Sequence, residues 1–177
     1  MDFDTRDLRN ALGTFTTGVT VITAHDTMSQ PIGMTVNSFS AISLRPPLVL
    51  WCLATQNPGA PGFRAAKRFA INVLALDQLP LSRQFARSGV DKFAGVDVRV
   101  GSNGVPQLAG CVAWFECDTD AHHEGGDHLI VVGRVTRYEY GPGTPLIFSR
   151  GKYQRGLDVE SYADAERDLS ASWSGLA

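Results

Sequence analysis

A change in hydrophobic pattern, from mixed small and polar residues to a continuous apolar run, marks residues 33–53. The first half alternates with the two-residue period of a strand and carries many hydroxyl and amide side chains. The second half, residues 48–53, has no formal charge and follows the pair Pro46-Pro47. A charge-free run bounded by prolines predicts a strand that is buried on both faces. The segment therefore predicts a polar strand leading directly into a core strand, which together would form a wall for a planar polar ligand.

The chain before this segment predicts one helix and one hairpin. Apolar residues recur there at the spacing of an amphipathic helix: Leu8, Ala11, Leu12 and Phe15. Asp4 is placed to cap that helix, and Gly18 is placed to end it. Residues 17–24 are rich in β-branched side chains and predict a strand. The polar stretch 25–31 then predicts a hairpin connection that returns the chain to the next strand.

The chain after this segment alternates between short helices and strands. Asn57, as N-cap before Pro58, predicts a helix that runs through residues 63–67. Asp77 predicts the start of another helix, which ends near Gly89. Alternating or β-rich stretches predict strands at residues 69–74, 112–118, 128–140 and 145–149, and Gly133 predicts a bulge in the third of these. A tight polar turn is predicted at residues 122–127.

The number and spacing of these elements indicate a fold class. Six or seven strands joined mostly by short turns, with a few short helices, predict a mainly β protein built as a closed antiparallel barrel. The chain of 177 residues is long enough to bury a substantial core, and we expect residues 1–156 to form one domain. Residues 157–177 are acidic and then Ser/Ala-rich, which predicts a weakly helical or frayed C-terminal tail.

Composition narrows the class of protein. The chain is 44% hydrophobic and 19% charged, as in soluble globular proteins, and its net charge of −2 offers no basic surface for nucleic acid. The acidic N-terminus does not resemble a signal peptide, and no apolar run is long enough to span a membrane. The three cysteines, Cys52, Cys111 and Cys117, are an odd number without a C-x-x-C pair. We therefore expect reduced thiols and a cytoplasmic location.

Common catalytic and metal-binding motifs are missing from the sequence. It contains no G-x-S-x-G elbow, no phosphate-binding P-loop and no Rossmann glycine motif. His122, His123 and His128 with Asp127 do not have the spacing of a zinc site, so we expect no metal. The first two histidines are assigned to a solvated turn. His128 is different, because it follows two glycines and an aspartate and begins a strand, which would fix its ring at the mouth of a loop.

The polar side chains of residues 35–38 allow two interpretations. They could decorate the solvent side of an edge strand. The next strand, however, enters the core, which favours an interior position for this one as well. Buried amides and hydroxyls need hydrogen-bond partners, and a planar ligand with several donors and acceptors could supply them.

Three strings in a fixed order suggest a family. Gly18-Val-Thr-Val-Ile-Thr23, the segment 33–53 and Glu124-Gly-Gly-Asp-His128 together resemble the flavin reductase-like family, the small reductase components of two-component flavin monooxygenases. The resemblance extends over residues 8–155. It implies the split-barrel FMN-binding fold, a homodimer, and NADH or NADPH as co-substrate.

The resemblance also implies roles for particular residues. The strand that holds the isoalloxazine and ribityl groups corresponds to Met34, Thr35, Val36, Asn37 and Ser38. The phosphate-binding loop corresponds to Ala54, Thr55, Gln56, Asn57 and Gly59. Relatives commonly have Ser and Thr two residues apart in this loop, where this chain has Asn57 and Gly59, so backbone amides are expected to bind the phosphate. The resemblance further implies a cation and its neighbour near the phosphate (Lys92, Phe93), an aromatic cover (Tyr153) and a histidine near the nicotinamide (His128). A solvated surface lysine stays open as the alternative for Lys92, and core packing as the alternative for Tyr153.

The function implied is an NAD(P)H-dependent flavin reductase that transfers hydride from nicotinamide C4 to flavin N5. FMN is the expected flavin, with FAD as the alternative, and the reduced flavin would serve a separate monooxygenase. Two other classes stay open: a non-catalytic FMN-binding or flavin-sensing protein on the same barrel, and a related oxidase of pyridoxine-type substrates. The oxidase would need a basic phosphate cluster, and the arginines of this chain are too scattered to form one.

Overall fold

The computed structural model describes residues 3–156, which form twelve strands and three α-helices. The strands are β1 Thr17–Gly18, β2 Thr20–His25, β3 Pro31–Val36, β4 Ser40–Leu44, β5 Pro47–Ala54, β6 Arg68–Val73, β7 Val98–Val100, β8 Pro106–Leu108, β9 Ala113–Gly125, β10 His128–Tyr140, β11 Leu146–Ser149 and β12 Lys152–Arg155. The helices are α1 Thr5–Leu12, α2 Ala60–Ala65 and α3 Leu79–Ala86, and a 3₁₀ turn, Leu76–Gln78, precedes α3.

Seven antiparallel strands form the main sheet, in the order β3-β2-β6-β9-β10-β5-β4. One core cluster collects inward-facing side chains from six of these strands, including Ile22, Phe69 and Leu129. Trp51 lies at its centre with edge-to-face contacts to Phe63 and Phe69, at ring-centroid distances of 5.5 and 5.9 Å. The prediction of a mainly β fold is confirmed.

The two ends of this sheet lie close together. Among residues 3–156, β3 and β4 each pair with one neighbour only, and residues 37–39 connect them. Four Cα–Cα steps can span about 15 Å at most. Seven strands laid side by side in a flat sheet would place the two edges roughly 29 Å apart. The sheet is therefore strongly curved around the core cluster.

A second layer packs on the outside of the curved sheet. It contains a three-stranded sheet, β1-β11-β12, together with α3 and the β7–β8 hairpin. Its core includes Leu74, Phe85 and Leu108. Asn72 fastens the hairpin to the main sheet, because its buried side chain donates to Val21 O and accepts from Leu108 N, both at 2.8 Å. The sequence pattern did not predict this hairpin, since its strands are only three residues long.

The helix predicted at the N-terminus is present, and its cap is as expected. The Asp4 side chain accepts hydrogen bonds from the amides of Arg6 and Asp7 at 2.8 and 3.3 Å. The helix ends at Leu12, with Gly13 as its C-cap, rather than near Gly18. It contains no buried residue, so its apolar face is exposed.

The bulge predicted at Gly133 is confirmed. The register between β9 and β10 shifts between Val132 and Gly133. A Cβ at this position would overlap the ring of Phe69 and lie 3.1 Å from Cβ of Cys117. The absence of a side chain at Gly133 therefore lets β10 cross close to the core aromatics.

Two expectations about residues 33–53 are wrong. The polar strand does not lead directly into a core strand, because β3 ends at Val36 and the exposed edge strand β4 intervenes before β5. Nor is β5 buried on both faces: Val49, Trp51 and Leu53 are buried, whereas Leu50 and Cys52 on the other face are half-buried. Only one face of β5 meets the core, and a charge-free sequence does not reveal which face is covered.

Three local boundaries also differ from the prediction. Helix α2 begins after Gly59, with Pro61 in its first turn, so Asn57 is not its N-cap. Asp77 lies in the 3₁₀ turn, and the N-cap of α3 is Gln78. The predicted turn at 122–127 shrinks to two residues, because strand pairing holds β9 extended through Gly125.

The remaining expectations have mixed outcomes. The three cysteines are free thiols, and burial raises the pKa values of Cys111 and Cys117 to about 12. Within residues 3–156, no helix is long and apolar enough to cross a membrane. The predicted tail, 157–177, lies outside the described residues.

Candidate active site

A cleft of about 570 Å³ lies between β3, the loop after β5 and the loop after α3. Its volume is within the range of small-molecule sites. Four of the predicted site residues line it: Asn57, Gly59, Lys92 and Phe93. Its other walls come from residues 30–33 and 88–91 together with Pro58 and Phe63, none of which was predicted as a site residue. No motif marks residues 88–91, and only their position just before Lys92 could have suggested them.

Lys92 fixes one wall of this cleft. Its ammonium group donates to the carbonyl oxygens of Gly33 on β3 and Phe85 on α3, both at 2.9 Å. Burial lowers the pKa of Lys92 from its usual value. An ammonium group has three N–H donors, so one is left for a ligand. The next residue, Phe93, packs edge-on against Phe85 with ring centroids 5.0 Å apart.

The loop after β5 is organised by its own hydrogen bonds. The Asn57 side chain accepts from the amide of Gly59 at 2.8 Å and contacts Sδ of Met34 at 3.0 Å. The amide of Asn57 donates to Ala54 O, and the amide of Thr55 donates to Asp127 O. Three of the amides expected to bind phosphate are therefore already paired inside the protein. A phosphate in the cleft would depend more on side-chain donors than the sequence suggested.

His128 stands where the β9–β10 hairpin meets this loop. It pairs with Ala54 in the sheet register, and its Nδ1 lies 2.7 Å from Oδ1 of Asp127. The backbone carbonyl of Asp127 accepts from both the amide and the hydroxyl of Thr55, each at 3.0 Å. The hydrogen bond from His128 lowers the pKa of the Asp127 carboxyl. The imidazole, with 44% of its side chain exposed, is thus oriented by a carboxylate and open to solvent. It does not line the 570 Å³ cleft.

Most side chains of the predicted flavin strand have partners within the protein. Met34 and Val36 face the core cluster, and Thr35 donates to Ser82 O on α3 at 2.7 Å. Ser38 accepts from the amide of Cys52 at 2.9 Å, which ties the β3–β4 connection to β5. Asn37 is exposed. A ligand at this strand would therefore meet its backbone and Asn37 rather than a row of free side chains.

Tyr153, His122 and His123 do not line the cleft. The Tyr153 hydroxyl is 3.0 Å from Oγ of Ser82, so it supports α3, and its ring packs on Phe148. His122 and His123 lie on β9 as exposed residues, rather than in a turn. Burial and the positive charges of Arg64 and Lys67 lower the pKa of His122. Residues 3–156 contain no cluster of three or more metal-ligating side chains.

The cleft has the donor chemistry that a phosphate-bearing nucleotide needs. Lys92 contributes a cationic donor, and Asn57 and Ser88 contribute an amide and a hydroxyl. Ile32, Phe63 and Phe93 supply apolar walls. The acidic group in the cleft, Asp91, is partly engaged, since its Oδ1 accepts from the amide of Phe93 at 3.0 Å. The residues present therefore fit the phosphate and ribityl half of a flavin.

Comparison with known proteins finds flavin reductases among the relatives of this chain. The chain is 50% identical over 152 residues to the FMN reductase (NADH) SmoA of Agrobacterium fabrum, and the match covers 86% of both chains. It is 40% identical to HsaB, the reductase subunit of a flavin-dependent monooxygenase of Mycobacterium tuberculosis, over 92% of this chain and 87% of HsaB. It spans about half the length (49%) of a third relative, a probable flavin reductase of Rhizobium meliloti that is 48% identical.

A solved structure shows the same fold. The NADH:FAD oxidoreductase SgcE6 of Streptomyces globisporus, in complex with NAD and FAD fragments, superposes with a TM-score of 0.84 at 39% identity. That match covers 89% of this chain and 96% of SgcE6. The sequence model of the flavin reductase like domain matches residues 12–157. The chain therefore belongs to the flavin reductase-like family.

Proposed function

We propose that the protein is an NADH-dependent flavin reductase that supplies reduced flavin to a separate monooxygenase. The observation that carries this proposal is the cleft in this flavin reductase-like domain. Lys92 and the loop at Asn57 both line it, and the Lys92 ammonium has one N–H donor left for a ligand. SmoA is named as an FMN reductase that uses NADH, SgcE6 as an NADH:FAD oxidoreductase, and HsaB as the reductase subunit of a flavin-dependent monooxygenase. These names support the extension of both parts of the proposal to this chain.

A bound flavin supplies the hydride acceptor, and NADH supplies the hydride. The residues of this chain bind and orient these two molecules. Lys92, Asn57 and Ser88 would bind the flavin phosphate, and the backbone of residues 34–38 would align the ring. His128, held by Asp127, would position the nicotinamide or polarise the flavin at the open end of the site. Tyr153 acts through Ser82 to support α3 and β3 in this arrangement.

We also propose that the curved sheet closes as a split barrel, with the split between β3 and β4. The short connection at residues 37–39 and the single inner core cluster support this closure. A homodimer is proposed as well. The exposed fractions of Leu12, Phe15 and Leu44 are 68%, 78% and 78%, and a second copy would cover such surface. Sedimentation equilibrium showing a stable monomer at micromolar concentration would rule out the dimer.

The test of function begins with the wild-type protein, FMN or FAD, and NADH. Loss of the visible flavin band without oxygen is the expected result, and an unchanged band would assign the protein to the non-catalytic binders. His128→Ala then tests the site. We expect a 30- to 150-fold lower rate of flavin reduction in stopped flow, equivalent to about 2–3 kcal/mol, with flavin affinity nearly unchanged.

His123→Ala is the matched control, because His123 is an exposed histidine on the same hairpin. Its reduction rate should equal that of the wild type. Equal rates for all three proteins would remove His128 from the mechanism and leave alignment to the backbone of residues 34–38. The assignment of the fold and family would be unaffected by that result.

A further inference from the structure

A second cleft adjoins the first one along the loop after α3. It has a volume of about 430 Å³ and is lined by α3 together with Arg87, Val90 and Asp91. Val90 and Asp91 line both clefts, so this loop is a shared wall between them. The apolar part of the second cleft is formed by Leu79, Pro80 and Val90.

The charged side chains that line the second cleft are Arg83, Arg87 and Asp91, so positive charge is in excess there. Arg83 and Arg87 are four residues apart, at the end of α3, and both are exposed. Neither forms an ion pair within residues 3–156, whereas five other pairs occur in that range. The Arg83 guanidinium lies 6.0 Å from the centre of the Tyr153 ring. Positively charged side chains near a helix C-terminus interact favourably with the helix dipole. This explains positive charge at the end of α3, but it does not explain the cleft beside it.

The end of α3 is joined firmly to the loop that separates the clefts. The Gln84 side chain donates to the carbonyl oxygens of Lys92 and Ala94, at 3.0 and 2.9 Å. Lys92 in turn holds Gly33 and Phe85 at the first cleft. The cationic groups of the two clefts are therefore carried by one connected unit.

We propose that the second cleft binds the adenosine monophosphate half of FAD, with Arg83 and Arg87 on its phosphate, and that this makes FAD the preferred flavin. The inference rests on the proposed function, which places the flavin phosphate in the first cleft. FMN has a single phosphate and would leave the second cleft empty. FAD has a second phosphate followed by adenosine, which would reach guanidinium donors and an apolar wall. Guanidinium groups suit phosphate because they donate in a planar fork.

The test compares the dissociation constants of FAD and FMN by quenching of flavin fluorescence. We expect tighter binding of FAD by the wild type. Arg83→Gln/Arg87→Gln should weaken FAD about tenfold, which corresponds to about 1.4 kcal/mol, and FMN less than twofold. ADP should compete with FAD in the wild type and lose this ability in the double variant. Arg87→Gln alone is a second variant that keeps the contact between Arg83 and Tyr153.

Arg68→Gln is the matched control, because Arg68 is an exposed arginine at the start of β6, outside both clefts. It should change neither dissociation constant. Equal losses for FAD and FMN, or no loss for either, would refute the second subsite while flavin reduction by the wild type still supports the function. A higher KM for NADH with an unchanged FAD:FMN ratio would assign the arginines to the nicotinamide dinucleotide and overturn the proposal. No flavin binding by the wild type would refute both the function and the subsite.

Discussion

Glu116→Gln should destabilise the protein although it changes a single carboxylate oxygen. Glu116 is only 4% exposed, and its two oxygens accept four hydrogen bonds at the turn between β7 and β8. Oε1 accepts from the amide of Ser102 at 2.9 Å and from Nε2 of Gln107 at 2.8 Å. Oε2 accepts from the Ser102 hydroxyl at 2.5 Å and from the amide of Asn103 at 3.0 Å. Every partner is a donor, so the site requires an acceptor at both positions.

The size of the effect follows from this geometry. A glutamine must place its NH₂ at one of the two oxygen positions. At Oε1 the NH₂ group would face two N–H donors. The Gln107 side-chain amide cannot flip to present its oxygen there, because that oxygen accepts a hydrogen bond from Nε of Arg99 at 2.8 Å. At Oε2 the Ser102 hydroxyl can rotate and become an acceptor, so only the Asn103 amide is left unpaired. One buried unpaired amide, together with loss of charge from the other bonds, amounts to about 2–3 kcal/mol.

Urea unfolding provides the measurement. The midpoint should fall while the slope of free energy against urea stays constant. Glu124→Gln is the control: Glu124 has an exposed side chain and pairs with Arg64 at 3.4 Å, so its loss should change stability by less than about 0.5 kcal/mol. A similarly small loss for Glu116→Gln would refute the assignment of Glu116 as the anchor of the turn.

The pH dependence gives an independent check of the same idea. Burial raises the pKa of Glu116, but hydrogen bonds from Ser102, Asn103 and Gln107 outweigh it and lower the pKa below its usual 4.5. A carboxyl whose pKa is lower in the folded than in the unfolded state stabilises the folded protein at pH values above its unfolded-state pKa. This contribution is lost as the pH falls through its folded-state pKa. The difference between the wild type and Glu116→Gln should therefore shrink below about pH 4.5. A difference that is constant from pH 7 to pH 3 would contradict this explanation.

Three further changes test other parts of the structure. Gly133→Ala should lower the free energy of unfolding by about 1–3 kcal/mol through overlap with Phe69, whereas Gly141→Ala, with open space around it, should have little effect in the same urea titration. Asp4→Ala should remove the N-cap of α1, which is worth about 1 kcal/mol. Because α1 contains no buried residue, we expect lower helicity in circular dichroism but an unchanged urea midpoint. Thr55→Ala removes one hydrogen bond to Asp127 and should weaken flavin binding by roughly 1 kcal/mol. A loss of flavin affinity beyond a hundredfold would show instead that the Thr55 hydroxyl itself binds the phosphate.

Alternating patterns in the sequence were enough to locate most of the main sheet. Residues 112–118 show why: Phe115 and Cys117 face the inner core while Trp114 faces the second layer, as their alternation predicted. The pattern did not reveal that Glu116, on the same side as Trp114, is a buried acceptor. Its partners include two backbone amides, and a backbone amide leaves no trace in a sequence.

The candidate site shows the same limit. Family resemblance suggested Lys92 as a site residue, but the carbonyl oxygens that accept its hydrogen bonds, at Gly33 and Phe85, come from segments that no pattern connects to residue 92. Asn57 was expected to cap a helix, whereas it stabilises the turn before that helix and contacts Met34. Contacts between distant segments depend on how the layers pack, and local spacing does not encode them.

The two edge strands of the main sheet, β3 and β4, have a consequence for how the protein responds to heat. Within residues 3–156 each of these strands pairs along one side only, so this seam, at which we propose that the barrel splits, lacks the backbone hydrogen bonds that join neighbouring strands within the sheet. A flavin aligned by residues 34–38 would lie beside the seam and contact it in the folded protein alone. A ligand of that kind raises the melting temperature as its concentration exceeds its dissociation constant. Thermal resistance would then follow the supply of flavin, and the protein would be least robust whenever its flavin has just departed.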